Sequence, residues 1–317
     1  MSILTHSTTR FCFDYTLVKN YKTQMINRSL ATISLSEIET DILLEYFPNG
    51  ICAFDLEMTG LSPLFDKIIE IAAVKLLPDR TVETYHSLVN PLISIPEHTI
   101  EYHGLTNEDL REMPSLKKPL KDFVDFYGNT PLLAHNAKFD ACFIIRGIHE
   151  YNFPISLSDI FDSCRFARHL FKKHENPPKN FSLGELAIYF NIEFSHHVAL
   201  DDAFASLKIF ANSLLELKKQ NLEKSLKDLS YLFKLNSFKK PESYILPRKL
   251  SILKDVVPTQ TEIEIIYKGS STKSDFRPVK PISLMPLPNG LVLYALCINS
   301  NMNKYFLLKK IKEIRSK

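Results

Sequence analysis

The sequence predicts an α/β layer fold followed by a smaller all-β unit. Strand-like and helical patterns alternate through most of the chain, capping residues stand before the helical stretches, and the C-terminal segment contains short β-prone runs divided by turn residues. With 317 residues, the chain is long enough for two folded units. We therefore expect a mixed sheet with flanking helices, followed by a small β-barrel or sandwich.

The first elements are expected to be a short helix and three strands. Ser34 and Glu37 have the spacing of a capping box, and an apolar period follows them, so a helix ending near Pro48 is predicted. Turn-rich pieces separate the next β-prone runs, which predict a meander of strands over 51–57, 68–77 and 81–89.

Helices and strands then alternate. Apolar periodicity predicts a helix over 116–127, a strand over 131–134, a helix over 139–148 and a strand over 155–161. Ser182 and Glu185 have capping-box spacing before a helix through Phe190, and a long apolar stripe predicts a helix from Leu200 to about Gln220. Five strands with flanking helices are therefore expected.

The remainder of the chain is expected to be a connector and a β unit. Residues 221–235 repeat apolar side chains at helical spacing, whereas 237–258 contain three prolines and several lysines. Short β-prone runs follow. The predicted division is an N-terminal extension (1–33), an α/β domain (34–220, with a leading helix at 34–47), a helical and Pro/Lys-containing connector (221–258) and a small β domain (259–317).

Composition excludes several classes of protein. Hydrophobic residues make up 45% and charged residues 24%, which is typical of an ordered globular chain. No apolar run approaches the roughly 18 residues of a membrane span, and no secretion signal begins the sequence, so we expect a cytoplasmic protein without a membrane partner. The five cysteines contain no Cys-x-x-Cys pair, which argues against a disulfide framework or a zinc-thiolate site.

Charge divides the chain into two unlike parts. Up to residue 212 there are 27 acidic and 19 basic residues, and after it 9 acidic and 20 basic residues, although the net charge is only +3. This distribution is consistent with a metal-binding acidic part and a basic part that meets a polyanion, or with two solvated surfaces of opposite sign.

Asp55 and Glu57 stand two residues apart in an otherwise apolar strand. Strand alternation places both side chains on one face, about 6 to 7 Å apart. A pair of carboxylates there is costly unless it is hydrated, paired or bound to a cation. Taken alone, the pair also fits a strand end exposed to solvent.

Further polar residues stand at the ends of other elements. Asn136 and Asp140 follow a predicted strand, and His197 precedes Asp202 where another helix begins. Hard oxygen ligands suit Mg²⁺ or Mn²⁺, and two such ions about 3.5 to 4 Å apart can activate a water for phosphodiester hydrolysis. The pattern therefore indicates nuclease chemistry.

Over about residues 50–215, the sequence resembles the DEDDh (DnaQ-like) 3′–5′ exonucleases, which include the epsilon proofreading subunit of bacterial DNA polymerase. The three motifs occur in the family's order, as the sequence letters FDLEMTGL, then Asn-x-x-x-Asp at Asn136 and Asp140, then His-x-x-x-x-Asp-Ala from His197. The stretch around His103 also resembles the family's loop that embraces the terminal nucleotide. The resemblance implies a ribonuclease H-like five-stranded mixed sheet.

The resemblance also implies the roles of individual residues. Two Mg²⁺ (or Mn²⁺) ions would be held by Asp55, Glu57, Asp140 and Asp202, and His197 would take the proton from the attacking water. Substrate contacts would come from Thr59, Gly60, Leu61, His103 and Asn136, with a helix-capping role as the alternative for His103.

The doublets His196-His197 and Asp201-Asp202 allow a second frame. Asp201 shares a helical stripe with Lys208 and Asn212, which predicts a wet face, whereas Asp202 lies nearer the apolar side. The family's Ala-Leu before the acid also favours His197 with Asp202, and His196 is then a surface histidine.

Residues 261–314 resemble a WYL-type domain, a small Sm/SH3-like β-barrel that binds nucleotides or nucleic acid in bacterial regulators. Leu293-Tyr294-Ala295 occupies the position of the Trp-Tyr-Leu signature, so only the tyrosine is kept. Basic residues such as Arg277 interleave with aromatic residues such as Tyr294, a mixture that can neutralise phosphates and stack bases. The alternative is a barrel with an aromatic core and solvated lysines.

The leading expectation is a metal-dependent exonuclease that releases nucleoside monophosphates from 3′ ends of single-stranded or otherwise 3′-ended DNA or RNA. A non-catalytic nucleic-acid or nucleotide-binding regulator is the alternative from another class, although the retention of all five catalytic positions argues against it. A third hypothesis is a proofreading subunit whose partner is a DNA polymerase.

Overall fold

The computed structural model describes residues 34–193, 198–220, 226–268 and 276–316. The predicted N-terminal extension (1–33) and the histidines of the doublet, His196 and His197, lie outside these residues. Eleven strands are described: β1 Ile51–Met58, β2 Ile68–Leu76, β3 Val82–Leu88, β4 Leu132–Ala134, β5 Asp159–Asp162, β6 Tyr231–Lys234, β7 Ile263–Tyr267, β8 Arg277–Leu287, β9 Gly290–Cys297, β10 Met302–Leu307 and β11 Ile311–Ser316.

Ten α-helices are described in the same ranges: α1 Glu37–Tyr46, α2 Glu97–His103, α3 Asn107–Leu110, α4 Lys117–Tyr127, α5 Lys138–Glu150, α6 Ser163–Phe171, α7 Leu183–Phe190, α8 Ala199–Lys219, α9 Leu226–Ser230 and α10 Leu253–Thr259. Short 3-10 turns accompany them at Leu235–Ser237, Pro241–Ser243, Arg248–Leu250, Ile298–Ser300 and Leu308–Lys310. None of the described helices is long and apolar enough to cross a membrane.

The larger sheet is mixed and has the strand order β3-β2-β1-β4-β5-β6. β1 pairs antiparallel with β2 on one side and parallel with β4 on the other, so it lies in the interior of the sheet. Its first four residues, Ile51 to Phe54, are buried because helices cover both faces. Because β1 lies inside the sheet and is covered on both faces, its residues are apolar up to Asp55.

The predicted α/β sheet is confirmed, but it has six strands instead of five. Residues 231–234, which the helical spacing of 221–235 assigned to a helix, form β6 and pair antiparallel with β5. The helix α9 stops at Ser230. Pairing supplies the outer edge of β5 with hydrogen-bond partners, and it places the Tyr231 and Phe161 rings edge to face with their centres 5.9 Å apart.

Two local expectations also change. The capping box of α1 is formed by Ser36 and Glu39, because the Ser36 hydroxyl accepts from the Glu39 N–H while the Glu39 carboxylate accepts from the Ser36 N–H. The expected pair, Ser34 and Glu37, lies two residues too early in the sequence. The strand predicted over 155–161 is shorter and later, since only Asp159–Asp162 pair with β4 and β6.

Helices cover the larger sheet on both faces. α8, with α1, packs its apolar stripe against one face of β1 and β2, whereas α4 and α5 cover the other face. Each layer is a continuous hydrophobic cluster. These layers fix the ends of β1, α5 and α8 with respect to one another.

The second sheet is five-stranded and antiparallel, with the order β10-β9-β8-β7-β11. Its chain-terminal strand β11 lies beside β7, which agrees with the predicted small β unit. α10 covers its core, which contains Leu284, Leu293 and Phe306. The other face meets α5, where the Cys142 thiol lies 3.5 Å from the Pro286 carbonyl oxygen.

Candidate active site

Three carboxylates meet at the C-terminal end of β1. Oxygens of Asp55, Glu57 and Asp202 all lie within 4.8 Å of one another. Asp55 and Glu57 share a face of β1 because strand alternation puts every second side chain on the same side, as the sequence predicts. Asp202 reaches them from the first turn of α8, which packs along β1 and β2.

Asp140 lies beside this acidic cluster, which we define as Asp55, Glu57 and Asp202. It stands in the first turn of α5, which follows β4, the parallel neighbour of β1. Its carboxylate is buried and accepts a hydrogen bond from the Leu56 N–H. Burial, with a smaller contribution from Asp162, raises the pKa of Asp140 to about 7.

The electrostatics of the acidic cluster favour a cation. Burial raises the pKa of Asp55 well above its ordinary value, and the charges of Asp202, Asp140 and Glu57 raise it further, in that order. Four carboxylates at such positions repel one another unless some of them are protonated or positive charge is supplied. Because all are hard oxygen donors, the residues present fit divalent cations such as Mg²⁺ or Mn²⁺.

The two aspartates at the start of α8 have different surroundings. Asp202 belongs to the acidic cluster. Asp201 is equally buried, with 7% of its surface exposed, so the wet face predicted for it is wrong. The later part of that stripe is covered by α1, where Glu39 accepts a hydrogen bond from Asn212 at 3.1 Å and lies 3.5 Å from Lys208 Nζ.

The loop after β1 carries three of the predicted substrate residues. Thr59 is buried and its hydroxyl accepts from the Lys67 N–H at 3.0 Å, so it closes the loop. A Cβ atom on Gly60 would lie 2.6 Å from the Asp66 carboxylate, so a side chain there would push that carboxylate from its hydrogen bond with the Ser62 N–H. Leu61 is 45% exposed. With Glu57, all three line a cavity of about 550 Å³.

His103 and Asn136 support the backbone near the site. His103 also lines the cavity, but its ring is buried and Nδ1 accepts from the Leu105 N–H at 3.0 Å, in the loop between α2 and α3. Asn136 has a left-handed backbone with φ of 64°, and its N–H donates to Asp162 at 3.3 Å. Both residues therefore have structural roles in addition to any contact with substrate.

Asp162 is a buried acid near the site that the sequence analysis did not select. It ends β5, caps α6 by accepting from the Arg165 N–H at 3.0 Å, and holds the turn before α5 through Asn136. An Asp-Ser pair between an apolar strand and an apolar helix was the available signal. Its hydrogen bonds make it a support for Asp140.

The predicted residues of the C-terminal unit are separated. The Tyr294 ring lies 5.2 Å from Phe139 and 4.7 Å from Tyr305, and Lys138 Nζ lies 4.2 Å from the centre of the Tyr305 ring. Tyr294 therefore packs against the helix that carries Asp140. Arg277 begins β8, opposite Ile265 of β7.

Comparison with known proteins identifies the family. A family model described as Exonuclease (RNase_T) matches residues 52–210, which is half of the chain and contains every described carboxylate of the site. This chain belongs to that exonuclease family. The family predicted from the motif order is thus confirmed, whereas the WYL-like resemblance and the roles of single residues stay predictions.

Relatives and solved structures add two observations. The DNA polymerase III PolC-type of Clostridium perfringens is 30% identical over 283 residues, 86% of this chain and 19% of the relative. That of Caldanaerobacter subterraneus is 29% identical over 248 residues, 77% of this chain and 17% of the relative. The chain thus spans about a fifth of these relatives' length. E. coli Exonuclease I, solved with a dT13 oligonucleotide, shares the fold at a TM-score of 0.50 and 16% identity, covering 78% of this chain and 55% of its own.

Proposed function

We propose that this chain is a metal-dependent 3′–5′ exonuclease that hydrolyses the terminal phosphodiester bond of DNA or RNA and releases nucleoside monophosphates. The observation that supports it most strongly is the convergence of Asp55, Glu57 and Asp202 within 4.8 Å, with the buried carboxylate of Asp140 beside them. Membership of the exonuclease family is consistent with this use of the cluster.

In this proposal the four carboxylates hold two Mg²⁺ or Mn²⁺ ions. When bound, such ions activate a water and stabilise the leaving oxygen of the ester. The chain's own contribution is to fix the ligands: the Leu56 N–H orients Asp140, and the packing of α8 on β1 and β2 sets the position of Asp202. His197 is the proposed acceptor of the water's proton, an assignment that depends on the motif alone.

The 3′ end is proposed to enter the cavity beside Glu57. The cavity volume of about 550 Å³ lies within the usual range of ligand pockets. Tyr102 lines it and is 66% exposed, so its ring is available to stack on a base. Thr59 and Gly60 shape the loop that leads from the acidic cluster into this cavity.

The test is digestion of oligonucleotides labelled at the 5′ end, with Mg²⁺ or Mn²⁺ present. Removal of nucleotides from the 3′ end should give a ladder that shortens with time, and chelation with EDTA should stop it. The variants Asp55→Asn and Asp202→Asn should lose at least about a thousandfold in rate. Asp125→Asn, on the exposed face of α4, is the matched control that should keep full activity.

Two results would contradict the proposal. One is intact DNA and RNA under conditions in which another member of the family degrades them. The other is undiminished cleavage by the double variant Asp55→Asn, Asp202→Asn.

A second candidate function is proofreading beside a polymerase. The curated relatives are named DNA polymerase III PolC-type, and this chain matches only a fifth or less of each of the two named above. We infer that a bacterial replicative polymerase is the partner to test. Faster removal of a mismatched than a matched 3′ nucleotide in the presence of such a polymerase, compared with the chain alone, would support it.

A further inference from the structure

The cavity beside Glu57 has walls from two distant parts of the chain. One wall is the loop after β1 together with α2, including Leu61 and Tyr102. The other wall comes from the end of α10 and from β8, through Pro258, Gln260 and Ile282. The C-terminal unit therefore lines the same cavity as Glu57, which is a proposed metal ligand.

Ile282 points into the cavity because of an irregularity in β8. Pro281 pairs with Ala295 and Ser283 pairs with the next residue, Tyr294, so the register shifts and Ile282 has no partner on β9. An extra residue of this kind is a β-bulge, which redirects a side chain and is frequent beside active sites. In an unbroken strand of this register, Ile282 would be paired with β9.

The second wall is attached firmly to the loop after β1. The buried Ser62 hydroxyl accepts from the Leu284 N–H at 3.1 Å and lies 3.4 Å from the Leu284 carbonyl oxygen. Leu64 and Phe65 also pack against the hydrophobic core of the second sheet. The two walls are thus tied together next to Glu57.

We propose that this cavity admits a single polynucleotide strand, and that Ile282 and the turn after α10 form a barrier against base-paired 3′ ends. The inference rests on the proposed exonuclease function. We infer a polynucleotide strand as the occupant because the cavity begins at the proposed metal ligand Glu57. The exposed ring of Tyr102 in its wall is available to stack on a base. A paired end would bring its complementary strand against the second wall.

This barrier predicts how the enzyme should treat paired ends. A duplex must open its terminal pairs before its 3′ strand can enter, and an average stacking step corresponds to about a tenfold factor for each pair opened. Blunt duplex should therefore be cleaved at least about tenfold more slowly than the same strand alone. A 3′ overhang long enough to span the cavity should restore the single-strand rate.

The experiment compares kcat/KM on one 5′-labelled strand, free, in a blunt duplex, and in duplexes with 3′ overhangs of increasing length. Wild-type protein should prefer the free strand by the factor given above. Ile282→Ala should lower that preference several-fold by opening the wall, and Ile282→Phe should raise it. Ile298→Ala, the same change on an exposed 3-10 turn outside the cavity, should leave it unchanged.

The outcomes separate this inference from the proposed function. No cleavage of any substrate would overturn the proposed exonuclease activity. Equal cleavage of free strand and blunt duplex by wild-type protein would overturn the barrier while leaving the exonuclease intact. Thermal melting of the two Ile282 variants checks their folding, and the wild-type comparison stands even if one variant is unstable.

Discussion

Replacement of Asp140 by Asn should make the metal-free protein more stable while abolishing cleavage. Asp140 is buried, and burial together with Asp162 raises its pKa from 3.8 to about 7. The folded protein therefore ionises this carboxyl less readily than the unfolded chain does. Asparagine keeps the carbonyl oxygen that accepts from the Leu56 N–H but carries no charge.

The magnitude follows from the change in pKa. A rise of about 3 in pKa, at about 1.4 kcal/mol for each unit, corresponds to about 4 kcal/mol of destabilisation when the group is fully ionised. We allow about 1 kcal/mol for imperfect hydrogen bonding of the new amide. The Asn variant should thus gain about 3 kcal/mol at pH 8, or about 6 to 12 °C in Tm.

The pH dependence has a definite sign. Because the pKa in the folded state is raised, the cost of Asp140 is absent below about pH 3.8, grows as the pH rises, and is complete above about pH 7. The wild-type protein should therefore lose stability relative to Asp140→Asn between pH 5 and pH 8. At pH 5 the gain of the variant should fall to about 1 kcal/mol.

Thermal unfolding in EDTA at pH 5 and pH 8 measures the effect, with Asp125→Asn as a surface control that should stay within about 0.5 kcal/mol of wild type. Added Mg²⁺ should stabilise wild type more than Asp140→Asn, since binding to the folded state shifts unfolding by mass action. A variant that is less stable than wild type at pH 8 in EDTA would refute the reasoning.

Three further predictions concern neighbouring residues. Asp202→Asn should abolish cleavage of a labelled oligonucleotide whereas Asp201→Asn should keep most of the rate, and equal losses would contradict the assignment of Asp202 to the acidic cluster. Tyr102→Ala should raise KM for single strands about 5- to 150-fold with little change in kcat, because a stacked base contributes about 1 to 3 kcal/mol; Tyr102→Phe should behave as wild type. Tyr305→Leu should lower the free energy of unfolding, measured in urea, by about 0.5 to 2 kcal/mol, because it removes the ring that lies under Lys138. Tyr305→Phe keeps a ring and should keep the stability of wild type; a loss in that variant would exclude the explanation.

The site could be predicted where its residues mark the ends of regular elements. Asp55 and Glu57 interrupt an apolar strand at the spacing that puts them on one face, and Asp140 begins an apolar helix. The choice of Asp202 matches the acidic cluster, although the argument about a wet face for Asp201 was wrong. Part of that face, at Lys208 and Asn212, is covered by α1, and a contact between distant helices leaves no local periodic signal.

Other features depended on tertiary context. The apolar spacing that ends at Phe233 predicts a helix. Residues 231–234 instead form β6, because pairing with β5 satisfies the hydrogen-bonding groups at the edge of that strand. The packing of Tyr294 against Phe139 also joins elements that are far apart in the chain. Local patterns predict which residues are apolar or aromatic, but they do not specify which distant surface those residues contact.

The hydrogen bonds between Ser62 and Leu284 join residues 222 positions apart. During synthesis at about 5 to 20 residues per second, the loop beside Glu57 would wait roughly 10 to 45 s for this partner to leave the ribosome. Up to that moment Leu64 and Phe65 lack the core into which they finally pack. A nascent chain would consequently acquire its fully walled cleft only after β8 has been synthesised, so a ribosome that stalls before β8 would leave the cleft open on one side.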